Sequence, residues 1–203
     1  MELSKEVKVV QGLLAEWGAC FRTVVMDGEP WSSVFWKNTI AVGLDSGDIT
    51  ILDGTTGSQV ATLSGHTDVV LSLAVSLDGA LFVSGSTDQT IKQWDLQTGG
   101  IIKTLHGHTG PVFSLSISAD YNTITSVSYD QEFYLWDIWT GERHYISKQD
   151  SIQHVRFSPT DPQYLLLVTH TAVKQWEVDS HRIKHIYDGC CATFSLDGTQ
   201  FVS

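Results

Sequence analysis

From residue 64 onward the apolar residues fall in short runs too closely spaced for helices. In three stretches the apolar positions are Val70, Leu73 and Val75, then Val112, Leu115 and Ile117, then Ile152, Val155 and Phe157. A plain strand, whose side chains alternate between faces, would step by two throughout. A step of three followed by a step of two, met three times, predicts strands that carry a β-bulge at one shared place. Turn residues such as Asp78-Gly79 and Thr98-Gly99 separate the runs, as they do between strands. Each unit therefore reads as four short strands. No segment of the repeat region shows the apolar period of a helix, and the predicted class is all-β.

The pattern also repeats residue by residue. The stretch "SGHTDVVLSLAVSLDGALFVSGSTDQTIKQWDLQTGG" from Ser64 aligns without a gap with "HGHTGPVFSLSISADYNTITSVSYDQEFYLWDIWTGE" from His106. Gly65-His66 falls on Gly107-His108, Ser84 on Ser126, Asp88 on Asp130 and Trp94-Asp95 on Trp136-Asp137, each pair 42 positions apart. Fainter copies flank these two. Leu52-Asp53 stands 42 before Trp94-Asp95, and Trp176-Glu177 stands 40 after Trp136-Asp137. Phe194-Ser195-Leu196-Asp197-Gly198 repeats Val75-Ser76-Leu77-Asp78-Gly79 and opens a fifth copy that reaches Ser203.

The resulting parse is a linker or stub over 1–16, an outer strand over 17–26, a degenerate unit over 27–63 and full units over 64–105 and 106–147. A degenerate unit over 148–188 and a truncated one over 189–203 follow. Within the stub, Val7, Val10 and Leu14 would share one face of a helix.

A Gly-His pair, an Asp in a later turn and a closing Trp-Asp, recurring at this interval, resemble the WD-repeat β-propellers. The resemblance runs from about residue 29 to 203 and is densest over Ser64–Gly141. It implies an incomplete propeller of four blades and half of a fifth. Family rings usually hold about seven blades, so the chain is expected to be a fragment. The segment 17–25, "WGACFRTVV", is similar to the outer strands "TGSQVATLS" and "TGGIIKTLH" and is expected to seal the ring. The phrases "EWGACFRTV", "AVGLDSGDITILDGTTGSQ", "LQTGG" and "FSPTDPQYLL" further resemble the propellers that end basidiomycete NACHT-type signalling proteins. No P-loop is present in this chain.

The resemblance implies a hydrogen-bonded chain of Trp94, Ser84, His66 and Asp88, and a second of Trp136, Ser126, His108 and Asp130. The chemistry fits: an indole only donates, hydroxyl and imidazole do both, and a carboxylate accepts. These histidines are therefore expected to be structural rather than catalytic. The flanking units lack the set. Val24 and Ser46 stand at the places of His66 and Asp88, and Gln149-Asp150 and His170 stand at the places of Gly107-His108 and Asp130.

In the family, the partner face is lined by positions three and five after the histidine and by the residue before the turn aspartate. Those positions are Val69, Leu71 and Thr87 in one unit and Pro111, Phe113 and Tyr129 in the next, with Trp31 at a similar place in the first. Aromatic side chains on a rigid scaffold suit protein or peptide anchoring. Filling of a channel wall is the alternative role for Leu71 and Phe113.

Composition narrows the partner class. Twelve Lys and Arg against 23 Asp and Glu leave a formal charge of −11, which argues against nucleic acid or an anionic membrane surface as a partner. His181 and His185 belong to an outer strand, where residues four apart do not share a face as they would on a helix, and no metal site is expected. Three cysteines, an odd number, with Cys190 and Cys191 adjacent, do not suit a secreted disulfide framework. A reducing interior, cytoplasmic or also nuclear, is expected, with Cys190 and Cys191 as small buried residues at a strand start.

The chain has no nucleophile elbow, phosphate loop, Cys-x-x-Cys or His-Glu-x-x-His,. The expectation is a non-catalytic interaction scaffold without cofactor or small-molecule substrate. The alternatives are a free-standing adaptor of ubiquitin-ligase type and a propeller enzyme.

Overall fold

Runs of four to seven residues rich in Val, Ile, Leu and Thr pair with their chain neighbours, because short turns bring consecutive strands together. The computed structural model describes residues 6–9, 22–76, 78–148, 152–195 and 201–202. Four antiparallel four-stranded sheets follow in chain order. The first contains β3 (Pro30–Trp36), β4 (Thr39–Leu44), β5 (Ile49–Asp53) and β6 (Gln59–Leu63). The second contains β7 (Val70–Val75), β8 (Phe82–Ser86), β9 (Ile91–Trp94) and β10 (Ile101–Leu105). The third is built of β11 (Val112–Ile117), β12 (Thr123–Ser128), β13 (Glu132–Asp137) and β14 (Arg143–Lys148). The fourth comprises β15 (Ile152–Phe157), β16 (Tyr164–Thr169), β17 (Ala172–Glu177) and β18 (Arg182–Asp188).

A two-stranded pair, β19 (Thr193–Phe194) and β20 (Phe201–Val202), follows the fourth sheet. At the other end, β1 (Glu6–Val9) pairs antiparallel with β2 (Arg22–Val25). Part of the segment expected as a linker or helical stub is thus a strand, with Val7 opposite Val24. Val10, Leu14 and residues 17–21 lie outside the described residues. The described part of the expected sealing strand pairs with β1, and Val24 and Met26 pack on the first sheet against Ile40, Val42, Leu44 and Leu52.

A four-stranded sheet can bury an apolar face only against a neighbour. The core accordingly lies in the seams between successive sheets. Trp94 sits with Ala41, Ile49, Leu63, Val70 and Phe82 between the first and second sheets. Trp136 sits with Val83, Ile91, Leu105, Val112 and Leu115 in the next seam, and Trp176 with Val127, Phe133, Ile152, Val155 and Leu165 in the third. Each of the three indoles is about 1% exposed. At the inner end of the seams, hydroxyls bond the neighbouring backbone. Ser32 Oγ donates to Val70 O at 2.8 Å, Ser72 Oγ donates to Val112 O at 3.3 Å, and Val155 N–H donates to Ser114 Oγ at 3.1 Å.

This close approach explains a glycine at one position. A Cβ on Gly85 would lie 2.6 Å from Ser72 Oγ and 2.7 Å from Val112 Cγ1, and one on Gly43 would meet Val70 Cγ1 at 2.7 Å. The third sheet has Val127 at that place, where it packs in the seam with the fourth.

The tetrad residues meet in both full repeats. Trp94 Nε1–H donates to Ser84 Oγ at 2.7 Å, Ser84 Oγ lies 2.7 Å from His66 Nε2, and His66 Nδ1 lies 2.7 Å from Asp88 Oδ2. The corresponding distances for Trp136, Ser126, His108 and Asp130 are 2.8, 2.7 and 2.8 Å. With Nδ1–H given to the carboxylate, Nε2 accepts from the serine, so each group meets its donor and acceptor needs. The carboxylates also hold the turns: Asp88 accepts from the N–H of Thr67 and Thr90, and Asp130 from the N–H of Thr109 and Glu132. These three-residue turns end in a left-handed residue, Gln89 at φ 70° and Gln131 at φ 67°. Gly47 takes that place in the first sheet at φ 89°.

The fourth sheet departs from this plan, and the expected place of His170 is corrected. Ile152 pairs with Thr169 as Val112 pairs with Ser128, so His170 corresponds to Tyr129, and Thr171 to Asp130. The connection between β16 and β17 is one residue shorter, which removes the left-handed residue, and Thr171 stands where the aspartate would be. Thr169 Oγ1 closes it instead, accepting from Ala172 N–H and donating to Ala172 O. Gln149 and Asp150 lie outside the described residues.

Electrostatics couple the tetrads to pH. Burial opposes ionisation of Asp88, but the bonds from His66 and Thr90 outweigh it and hold the carboxyl well below the usual range. Asp130 is likewise low, its burial outweighed by the N–H donors of Thr109 and Glu132 and by His108. Burial pushes His108 below the ordinary histidine value, against the pull of Asp130.

Three outcomes are expected from this architecture. Asp88→Ala leaves His66 buried with a missing partner and should lower stability by about 1–3 kcal/mol, read as the shift in urea midpoint against the parent chain. Gly85→Ala should force the second and third sheets apart at a cost of roughly 1–3 kcal/mol; an unchanged midpoint would mean that the seam yields. Acidification should destabilise the fold in two windows. A histidine held below its unfolded pKa stabilises fully above that value, and the contribution of His108 is lost as pH falls below 6.5,. Carboxylates held low stabilise above their unfolded pKa, and the contributions of Asp88 and Asp130 are lost below 3.8,. The midpoint measured against pH should fall first below 6.5 and more steeply below 3.8.

Candidate partner-binding face

The bulge falls at one place in all four sheets. In the second sheet Val70 pairs with Ser86 and Ser72 with Gly85, leaving Leu71 unpaired. The unpaired residue is Trp31 in the first sheet, Phe113 in the third and Gln153 in the fourth. A bulged residue has no cross-strand partner, and its side chain is re-aimed relative to the pleat. Leu71 and Phe113 are partly exposed although the residues on either side of each are buried. Trp31 is 57% exposed.

The residue after each second strand lies beside the bulge. Thr87 N–H donates to Val69 O at 2.9 Å, Tyr129 N–H to Pro111 O at 3.1 Å and Asp45 N–H to Glu29 O at 2.9 Å. The seven positions expected at the partner face therefore fall into equivalent sets: Val69, Leu71 and Thr87; Pro111, Phe113 and Tyr129; and, around Trp31, Glu29 and Asp45. The fourth sheet adds Gln153 and His170, with Gln153 Nε2 at 3.0 Å from His170 Nδ1.

Phe113 and Tyr129 pair with ring centroids 4.7 Å apart and planes at 45°, a tilted geometry favoured by aromatic quadrupoles. Phe113 also packs against the seam between the third and fourth sheets while remaining partly exposed. Tyr129 is 69% exposed. The turn that carries it is held by Asp130 and thus by the tetrad, as the turn of Thr87 is held by Asp88.

Sequence reasoning missed Glu29, Asp45, Gln153 and His170. The three-then-two spacing of Ile152, Val155 and Phe157 already marked a bulge at Gln153. In the first sheet the bulge follows Pro30, an exposed residue, so the apolar pattern carried no signal there.

Other candidate features offer less. Cys190 and Cys191 are exposed, not buried, because they precede β19 rather than form part of it. His181 stacks near Trp176, with ring centroids 5.5 Å apart, and sits in the turn before β18, apart from the strand that holds His185. Among the described residues no group of three His, Cys, Asp or Glu side chains could hold a metal ion. A cleft of about 390 Å³ lies over the opposite side of the first sheet, bounded by Met26, Leu44, Thr50, Leu52, Gln59 and Thr62, and its described lining includes no aromatic side chain.

Comparison with known proteins agrees with the repeat. Residues 57–95 and 99–137 match the WD40 family, WD domain, G-beta repeat. Each match starts at the outer strand of one sheet and ends on the third strand of the next, so one repeat spans two sheets. The chain is similar to WD repeat and SOCS box-containing protein 1 of Takifugu rubripes, with 35% identity over 91 residues, 40% of this chain and 21% of that protein. The protein of the same name from Danio rerio is 44% identical over 59 residues, 29% of this chain and 14% of that one. Protein FIZZY-RELATED 2 of Arabidopsis thaliana is 43% identical over 66 residues, 32% and 14% of the respective lengths. The chain thus spans about a fifth or less of the length of these relatives. Residues 57–95 and 99–137 are similar to WD40 repeats, and the four sheets form an all-β fold consistent with part of a WD-repeat β-propeller.

Proposed function

We propose that this chain is a non-catalytic protein-interaction scaffold that binds a protein or peptide partner through the end face carrying the bulge residues. The observation that supports the reading most strongly is the Phe113–Tyr129 pair, an aromatic anchor with one ring largely exposed and both backbones fixed by hydrogen-bonded turns. Rigid aromatic anchors dominate binding energy at protein interfaces. Val69, Leu71, Thr87, Pro111 and Trp31 would supply the surrounding contact area. No nucleic acid, membrane, cofactor or metal enters this reading, and an intracellular setting is part of it.

Two settings are open to such a scaffold. The sequence phrases quoted above favour a sensing module of a NACHT-type signalling protein of fungal type. Similarity to WD repeat and SOCS box-containing proteins favours an adaptor, such as a substrate receptor of a ubiquitin ligase.

The face is tested by affinity capture followed by titration of each captured protein. Phe113→Ala with Tyr129→Ala should weaken binding about tenfold or more, and Tyr129→Ala alone, which leaves the seam packing of Phe113 in place, should weaken it while the thermal midpoint stays within a few degrees of the parent. If every captured partner binds the double variant as it binds the parent, the face assignment fails.

A further inference from the structure

We propose that the end face selects a peptide segment with a basic residue at one end and an apolar or aromatic anchor at the other. This proposal rests on the reading of that face as the partner surface and adds the chemical class and polarity of the partner.

The character of the face changes from sheet to sheet. At the first sheet, Asp45 N–H donates to Glu29 O at 2.9 Å and Glu29 N–H donates to Asp45 Oδ1 at 2.8 Å. The two acidic residues are thereby held together at the two ends of the segment pairing around the bulge that carries the exposed Trp31. Asp68, exposed on the adjoining loop, accepts from Val69 N–H at 2.8 Å through Oδ1. No ion pair joins Glu29, Asp45 or Asp68 to a Lys or Arg among the described residues. None of the face positions from Glu29 to His170 named above is Lys or Arg.

At the third sheet the same positions are Pro111, Phe113 and Tyr129, without charge. Leu71 and Thr87 lie between, because β3 packs on β7 and β7 on β11. An acidic end and an apolar end are therefore separated by one sheet.

Carboxylates that form no ion pair among the described residues, in turns flanking the bulge that carries an exposed indole, favour a cation. A guanidinium or ammonium gains charge-assisted hydrogen bonds to the carboxylates and a cation–π contact with the ring. A chain of net charge −11 draws basic partners and repels acidic ones over longer range. A phosphopeptide or an acidic segment would meet like charge at the first sheet and is excluded by the same reasoning.

The test pans a phage library of random dodecapeptides on the whole chain and measures the enriched peptides by fluorescence anisotropy. Enriched sequences should carry Lys or Arg on one side of an apolar or aromatic residue. Glu29→Gln, Asp45→Asn and Asp68→Asn combined keep the side-chain oxygens that cap Glu29 and Val69 and remove three charges. This variant should keep the parent's thermal midpoint and weaken binding about tenfold. Raising salt from about 0.05 M to about 0.5 M should weaken the parent similarly and the neutralised variant little.

The possible results separate the two claims. Peptides that need Phe113 and Tyr129 but lack basic residues, or ignore the three neutralisations, overturn the basic class and leave the face standing. Peptides indifferent to both sets of substitutions overturn the face and the basic class together. Enrichment of acidic peptides, or of none, also overturns the proposal.

Discussion

Everything in this structure depends on the contact between one sheet and the next. A four-stranded sheet of five-residue strands has too little apolar surface to stand alone, and two of its neighbours' faces complete it. The three buried indoles of Trp94, Trp136 and Trp176 fill equivalent places in successive seams. Where the inner strands approach most closely, Gly43 and Gly85 leave out a side chain, and serine hydroxyls reach the neighbouring backbone. Apolar burial supplies the drive for stacking, and these short polar bonds fix its register, since a slipped sheet would strand a hydroxyl and a carbonyl without partners.

The tetrad adds a second constraint within each full repeat. It ties the tryptophan of the third strand to the loop before the first strand and to the turn after the second. One buried network therefore links the seam to the end of the sheet. In the first and fourth sheets other devices hold the corresponding turns. Gly47 supplies the left-handed residue in the first sheet, with Ser46 and Asp48 bonded to each other, and Thr169 closes a shorter turn in the fourth. The Trp-Asp end shows the same substitution of parts. Asp53 and Asp95 accept from Thr56 and Thr98, each followed by a left-handed glycine. In the fourth sheet Glu177 accepts from Ser180, and His181 takes the left-handed place at φ 54°.

The all-β class, the number of full sheets and the bulge were legible in the chain because each leaves a periodic trace of apolar and turn residues. The bulge is the best case: a spacing of three then two in Val70, Leu73 and Val75 corresponds to one unpaired residue, Leu71. What escaped was set by features without such a trace. The first sheet's bulge follows an exposed proline, so its acidic neighbours Glu29 and Asp45 did not stand out. His170 was placed one position off because a residue missing from a turn cannot be located by counting from the tryptophan. Cys190 and Cys191 read as small residues at a strand start, whereas β19 begins at Thr193 and leaves them exposed before it.

The bulge also explains how one scaffold can carry a different exposed surface on each sheet. Residues in regular pairs are committed to the seams: Val70, Val112 and Ile152 must be apolar, and Ser72 and Ser114 must bond across. The unpaired residue has no cross-strand partner, although Phe113 still packs on the seam, and the residue after the second strand is held to the bulged strand through its backbone N–H in the first three sheets. Trp31 with Asp45, Leu71 with Thr87, Phe113 with Tyr129 and Gln153 with His170 occupy equivalent places and differ from sheet to sheet in charge and polarity. Substitution at these places changes the surface while the hydrogen bonds of Val69 O and Pro111 O to the following turn remain. The freedom of these places follows from the strictness of the paired residues beside them.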